Sequence, residues 1–148
     1  VSDITIRVSG LDELKRRLDS LDDGKLARSM MQTGARKAAK VLLAAQQQTV
    51  PVADGRLRDA LGIQVKRAKS DKLQVLIGPD QKLNFIGRFH EFGTKFMAGI
   101  HWMQKAFDYS CNDALDIYTA EVTRMLDKKM YADLMAAIED GLAAGDDE

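Results

Sequence analysis

From Trp102 to Ala144 the chain runs without a proline, and apolar residues recur at steps of three and four. Met103, Phe107, Cys111, Ala114, Tyr118, Val122 and Met125 form one stripe, the signature of an amphipathic helix. After Asp127-Lys128-Lys129 a further stripe appears in Met130, Leu134, Ile138 and Leu142. One straight helix over this range would be roughly 65 Å long at the usual rise per residue. That exceeds a small domain, so either the helix bends near Asp127 or its end leaves the body. In the second case an apolar face must be covered by something else.

The approach to this helix, Gly87–Phe107, reads GRFHEFGTKFMAGIHWMQKAF. It gathers Phe89, Phe92, Phe96 and Phe107 with both histidines, the only tryptophan and three glycines. Large rings supply buried area and glycines permit unusual backbone angles, so this stretch predicts a compact hinge around which the fold packs.

The 148 residues are most simply one domain, able to bury a core without staples. With 45% hydrophobic and 30% charged residues the composition is that of a soluble globular protein, too apolar for a disordered chain. Basic and acidic residues balance at 22 each. Non-specific DNA binders carry a basic excess that this chain lacks, and its weak self-repulsion makes association with copies of itself easy. A single cysteine, Cys111, excludes an internal disulfide and fits a reducing compartment. No apolar run is long enough to span a bilayer, and Val1–Ile4 does not open like a secretion signal. The expectation is a soluble intracellular product with no membrane partner.

Along the chain, Ile4, Ile6 and Val8 alternate with polar residues as in a half-buried strand, and Ser9 can cap a following helix with Asp12 in its first turn. Leu11, Leu14, Leu18 and Leu21 make an apolar stripe that reads as core packing, ended by Asp22-Asp23-Gly24. Lys25–Gln48 is the first long helix, its face built from Leu26, Met30, Gly34, Ala38, Leu42 and Ala45. The small middle of that face predicts a helix or sheet packed closely at Gly34 and Ala38. Arg28, Arg36, Lys37 and Lys40 lie mostly off the stripe and read as a solvated face, or as a contact with an acidic neighbour.

Pro51 stops this helix, and Asp54-Gly55 turns into Arg56–Leu61. Leu61, Ile63 and Val65 and then Leu73, Val75 and Ile77 alternate with other residues, predicting an antiparallel hairpin. Its tip carries Lys66, Arg67, Lys69 and Lys72 against Asp71 alone, but without the interleaved aromatics of a nucleic-acid platform. In Lys82–Phe92 the apolar residues alternate only in part, so strand and irregular turn both remain open.

Catalytic chemistry is hard to find. His90-Glu91 with His101 is the tempting set, but a zinc protease helix needs histidine at position 94, where Thr94 stands. Buried or capping roles fit both histidines better. Cys111 sits on an apolar helix stripe as a small core residue, not as a nucleophile. Gly87, Gly93 and Gly99 match no phosphate-binding loop. In Glu91-Phe92-Gly93-Thr94 the glycine suits positive φ, the threonine local bonding, and the glutamate acceptance from backbone N–H groups in the turn. No catalytic, cofactor or metal site is expected.

His90–Thr94, HEFGT, resembles the EFGT signature of tail-component (neck) proteins of long-tailed bacteriophages, found among head–tail joining genes. Gly10-Leu11-Asp12-Glu13-Leu14 is similar to the family's opening G-L-x-x-L. Pro51 with Asp54-Gly55-Arg56-Leu57-Arg58 resembles its P-x-x-T-G-x-L-R element, with Asp54 at the usual threonine. Ala98–Phe107 is similar to the aromatic start of its last helix, although His101 and Lys105 stand where the family commonly has prolines. The resemblance covers roughly residues 3–127.

It implies an α+β fold: a small antiparallel sheet with a β-hairpin packed on two long helices. Residues 1–127 would form the tail-component domain and 128–148 a C-terminal helical extension with an acidic disordered end. It further implies a virion structural protein, not an enzyme, made in the host cytoplasm and placed in the neck or upper tail. Such a protein forms a ring with copies of itself, a hexamer among the candidates. The ring joins the head–tail connector to the tail tube or terminator during tail completion, and DNA passes through without sequence-specific binding. Gly55, Leu57, Glu91, Phe92, Gly93, Thr94, Trp102 and Phe107 are then architectural. Arg67, Lys69 and Lys72 at the hairpin tip and Met130, Leu134, Ile138 and Leu142 on the last helix are the candidate assembly interface. Two rival readings are a nucleic-acid-binding module using Arg67, Lys69 and Lys72 at the hairpin tip with the basic face of the first long helix, and a metal-dependent hydrolase at His90, Glu91 and His101.

Overall fold

The computed structural model describes residues 11–21, 23–53, 55–67 and 73–145. The strand expected at Ile4–Val8, the Ser9 cap, the hairpin-tip residues Lys69 and Lys72 and the acidic end at 146–148 lie outside the described residues.

Helix α1 spans Asp12–Asp19, with Asp12 and Glu13 in its first turn and Arg16 and Arg17 in its last, each sign suited to its end of the helix dipole. Its leucines are core, as their spacing predicts. Leu14 and Leu18 are buried with Met30, Val122 and Leu126, while Leu11 and Leu21 pack against that cluster. Each such burial is worth about 2 kcal/mol. The helix stops earlier than the sequence reading placed it: Ser20 is its C-cap. Asp23 belongs instead to the next helix, α2 (Gly24–Thr49), whose N-terminus it caps by accepting from the backbone N–H groups of Lys25 and Leu26.

The small-residue face of α2 does bring another backbone close. Gly34, Ala35, Ala38 and Ala39 are buried, and α5 (Trp102–Gly145) lies along them. A Cβ built on Gly34 would stand 2.7 Å from Val122 Cγ2 and 3.2 Å from the Tyr118 ring. Pro51 ends α2 as expected: Val50 turns extended at φ −63°, ψ 138°. Gly55, at φ +81°, leads into the short α3 (Arg56–Asp59), which buries Leu57. Leu57, Val50, Leu61 and Trp102 make a second core cluster.

Strands β1 (Leu61–Arg67) and β2 (Leu73–Pro79) pair antiparallel, with Ile63 opposite Ile77 and Val65 opposite Val75. Those four side chains turn inward over α2, while Gly62, Gln64, Gln74 and Leu76 face outward.

Residues 84–92 require a correction. The segment is helix α4 (Asn84–Phe92), neither strand nor irregular turn. Leu83, Ile86 and Phe89, with Phe85 and Phe92, recur at three- and four-residue steps, and Phe85 and Phe89 stack edge to face one turn apart with centroids 5.9 Å apart. A two-residue ladder of β3 (Gly93–Thr94) with β4 (Met97–Ala98) then leads to α5.

Helix α5 is 44 residues long and remains helical through Asp127. Its buried contacts end at Leu126, and every residue from Met130 to Leu142 is exposed. The end of the helix therefore leaves the body. An ion pair of 2.6 Å between Arg17 and Asp127 sits where it departs.

Candidate functional site

Two features carry the functional argument: the corner between α4 and α5, and the free end of α5. At the corner Glu91 is buried at 5% exposure. One carboxylate oxygen accepts from the N–H of Met103 at 2.6 Å and the other from that of Gln104 at 3.2 Å. These N–H groups belong to the first turn of α5, which has no earlier carbonyl to bond them, and the negative charge suits the positive end of the helix dipole. The sequence reading had Glu91 accept from N–H groups of its own turn; the donors come instead from the helix that follows.

Backbone bonds lock the same corner. The His90 carbonyl accepts from Ile100 N–H at 2.8 Å and the Glu91 carbonyl from His101 N–H at 3.1 Å. Trp102 is fully buried, and its indole N–H donates to the Gly87 carbonyl at 3.0 Å. Thr49 Oγ1 donates to the Trp102 carbonyl at 2.9 Å, tying the end of α2 to the start of α5. Gly93 has φ +81°, and Thr94 Oγ1 accepts from Phe96 N–H. Four large side chains of this corner, Phe85, Phe89, Phe92 and Phe96, remain exposed.

The histidines do not take the buried or capping side-chain roles expected of them. His90 is half-buried and His101 exposed, the latter at φ +50° just before α5. With both Glu91 oxygens bonded to α5, His90, Glu91 and His101 do not form a ligand set, and no group of three or more potential metal ligands occurs among the described residues. Cys111 is partly buried beside a small apolar cavity of about 300 Å³.

Met130, Leu134, Ile138 and Leu142 all stand exposed on α5. Arg67 ends β1, far along the hairpin from the corner. Phe107 is half-buried in the floor of an open cleft of about 800 Å³ between the hairpin, α4 and the start of α5.

One constellation escaped the sequence reading. The nearly buried Glu121 carboxylate takes Lys37 from α2 at 2.9 Å and Arg124 from its own helix at 2.6 Å. Hydrogen bonds from Arg124 and Lys37 hold its pKa down at about 2. The Glu121–Arg124 spacing of three was visible as a helix pair; the partner across the helices was not. Lys37 thus meets an acidic neighbour rather than lying free on a solvated face.

A family model described as "Bacteriophage HK97-gp10, putative tail-component" matches residues 12–93, more than half of the chain. The chain belongs to this family. In this tail-component protein the match runs from α1 to Gly93, stopping inside HEFGT, so that α5 lies wholly beyond it. The family is one of phage structural tail components rather than enzymes, in keeping with a corner whose polar groups are occupied in holding helices together. Neither the curated proteins nor the solved structures yield a match. Among the described residues no helix is long and apolar enough to cross a membrane.

Proposed function

We propose that this tail-component protein is a ring-forming subunit of the neck or upper tail, joining the head connector to the tail tube and leaving a channel for DNA. The observation that carries this reading is the free end of α5. Met130, Tyr131, Leu134, Ile138 and Leu142 expose their side chains along a helix that has already left its own core. Solvated apolar stripes of this length are unfavourable unless another surface covers them. The balanced net charge leaves self-association unopposed by repulsion. The locked corner supports the same role, because it fixes the direction in which α5 points and so the position of its end.

The rival nucleic-acid reading loses one of its basic groups, since Lys37 is engaged with Glu121. Electron microscopy of the purified protein tests the proposal. Annular particles with a central hole are the expected result; dispersed single subunits or open filaments would overturn it.

A further inference from the structure

The small apolar cavity of about 300 Å³ beside Cys111 lies between α2, α5 and one edge of the hairpin. Ala38 and Leu42 of α2, Val75 and Ile77 of β2, and Phe107 and Cys111 of α5 line it. No residue of β1 does, so the cavity sits beside the edge of β2 that faces away from β1. Among the described residues β2 pairs with β1 alone, which leaves that edge with backbone N–H and C=O groups open to a further strand. Gln46, one turn beyond Leu42, stands at the same edge and is only 8% exposed. Its amide N–H donates to the Ile77 carbonyl, while Oε1 has no hydrogen-bond partner among the described residues. A buried acceptor of this kind calls for an N–H donor, and an extended chain alongside β2 carries such donors in its backbone.

We infer that this cavity is the docking site of residues 4–8 of the same chain, laid against β2 as a third strand. Chain continuity selects that occupant: Leu11 itself lines the cavity, and only Ser9 and Gly10 separate it from Val8. The residue pattern fits the lining. A strand of this sequence puts Ile4, Ile6 and Val8 on one face, toward the apolar walls, and Thr5 and Arg7 on the other, toward water. Its reach fits as well, because the extended chain from Leu11 back to Ile4 spans roughly 23 Å, the length of a seven-residue strand such as β2. The direction follows from the two ends. Leu11 packs against the cluster that holds Met30 and Val122, whereas Gly78, near the end of β2, lies against Met103 at the start of α5. The segment therefore runs antiparallel to β2, and it covers an edge that would otherwise invite pairing with other chains. This inference stands apart from the ring reading.

Two measurements on the full chain test it. Ile6→Asp and Thr5→Asp place the same side chain on opposite faces of the segment. Ile6→Asp should lower the urea midpoint clearly and Thr5→Asp should leave it near the wild-type value; equal midpoints would overturn the inference. Cys111, the single cysteine, lines the cavity and serves as a probe in the second measurement. Ile4→Cys, Ile6→Cys, Val8→Cys, Thr5→Cys and Arg7→Cys are each oxidised gently, after circular dichroism confirms the wild-type helical content. A disulfide with Cys111 within one chain of 16.4 kDa is expected from the set at 4, 6 and 8 and not from the pair at 5 and 7, since the bond forms only between closely facing side chains. No disulfide at any position, or equal yields from both sets, would overturn the inference. Chains linked in pairs at positions 4, 6 and 8 would assign the cavity to the segment of a second copy and overturn it too.

Discussion

Gly93 and Gly99 face each other across the corner between α4 and α5. A Cβ on Gly93 would lie 2.5 Å from the Gly99 nitrogen, and one on Gly99 would lie 2.8 Å from the Gly93 nitrogen. Backbone cannot yield as a flexible side chain can, and Gly93 also holds φ at +81°. Gly93→Ala should therefore cost about 3 kcal/mol of stability, combining strained φ with a clash. Gly99→Ala should cost a similar amount from the clash alone. Urea melts of both variants measure this, and a wild-type midpoint for either would mean that the corner is not closed as described.

Glu91 should matter to stability and not to any chemistry. Glu91→Ala leaves the Met103 and Gln104 N–H groups without their acceptor and removes the charge at the start of α5, a loss of about 3 kcal/mol. Glu91→Gln keeps the shape and one good acceptor and should lose about half as much. Equal melting midpoints for the glutamine and alanine variants would show that the carboxylate's bonds contribute little.

The crossing of α2 and α5 predicts a size-compensation pair. Gly34→Ala drives a methyl toward Val122 Cγ2, 2.7 Å from the position of its Cβ, and should destabilise by about 2 kcal/mol. Val122→Ala alone opens a cavity in the core and also destabilises. Combined, the two should cost less than their sum, by about 1 kcal/mol in a double-mutant cycle. Strict additivity would place the helices farther apart than they stand here.

Acid should loosen the same pair of helices. The Glu121 carboxyl ionises at about 2 in the fold, against 4.5 ordinarily. A carboxylate with a depressed folded pKa stabilises above its unfolded pKa and loses that contribution as pH falls toward the folded value. The contribution is therefore intact at neutral pH and fades between about 4.5 and 2. Glu121→Gln should flatten this limb of the stability profile, and added salt should blunt it, because Lys37 and Arg124 are half exposed. A profile unchanged by the substitution would mean that the two cations do not hold the carboxylate.

Periodicity made most of the architecture legible. The leucines of α1, the small face of α2 and the alternation of both strands each bury one side, so their spacing records the element. Residues 84–92 were misread because phenylalanines at 85, 89 and 92 fit a helix, while the neighbouring glycine and the following turn favour irregular backbone. The role of Asp23 was misplaced because an aspartate between two helices serves equally to end one and begin the next; only the φ, ψ values and bonds decide. The partners of Glu91 and Glu121 were not legible, since both are contacts between residues whose approach depends on how α5 crosses the rest. The cleft was hidden for the same reason: its lining comes from four separate segments of the chain.

The solution mass measured by light scattering across a range of concentrations tests the central claim most directly, using the wild type and a chain ending at Asp127. The account predicts a wild type at a fixed multiple of 16.4 kDa, and a shortened chain that keeps its fold and is monomeric. A wild type that stays at 16.4 kDa throughout, or a shortened chain that still assembles, would contradict the claim that the free end of α5 joins one subunit to the next.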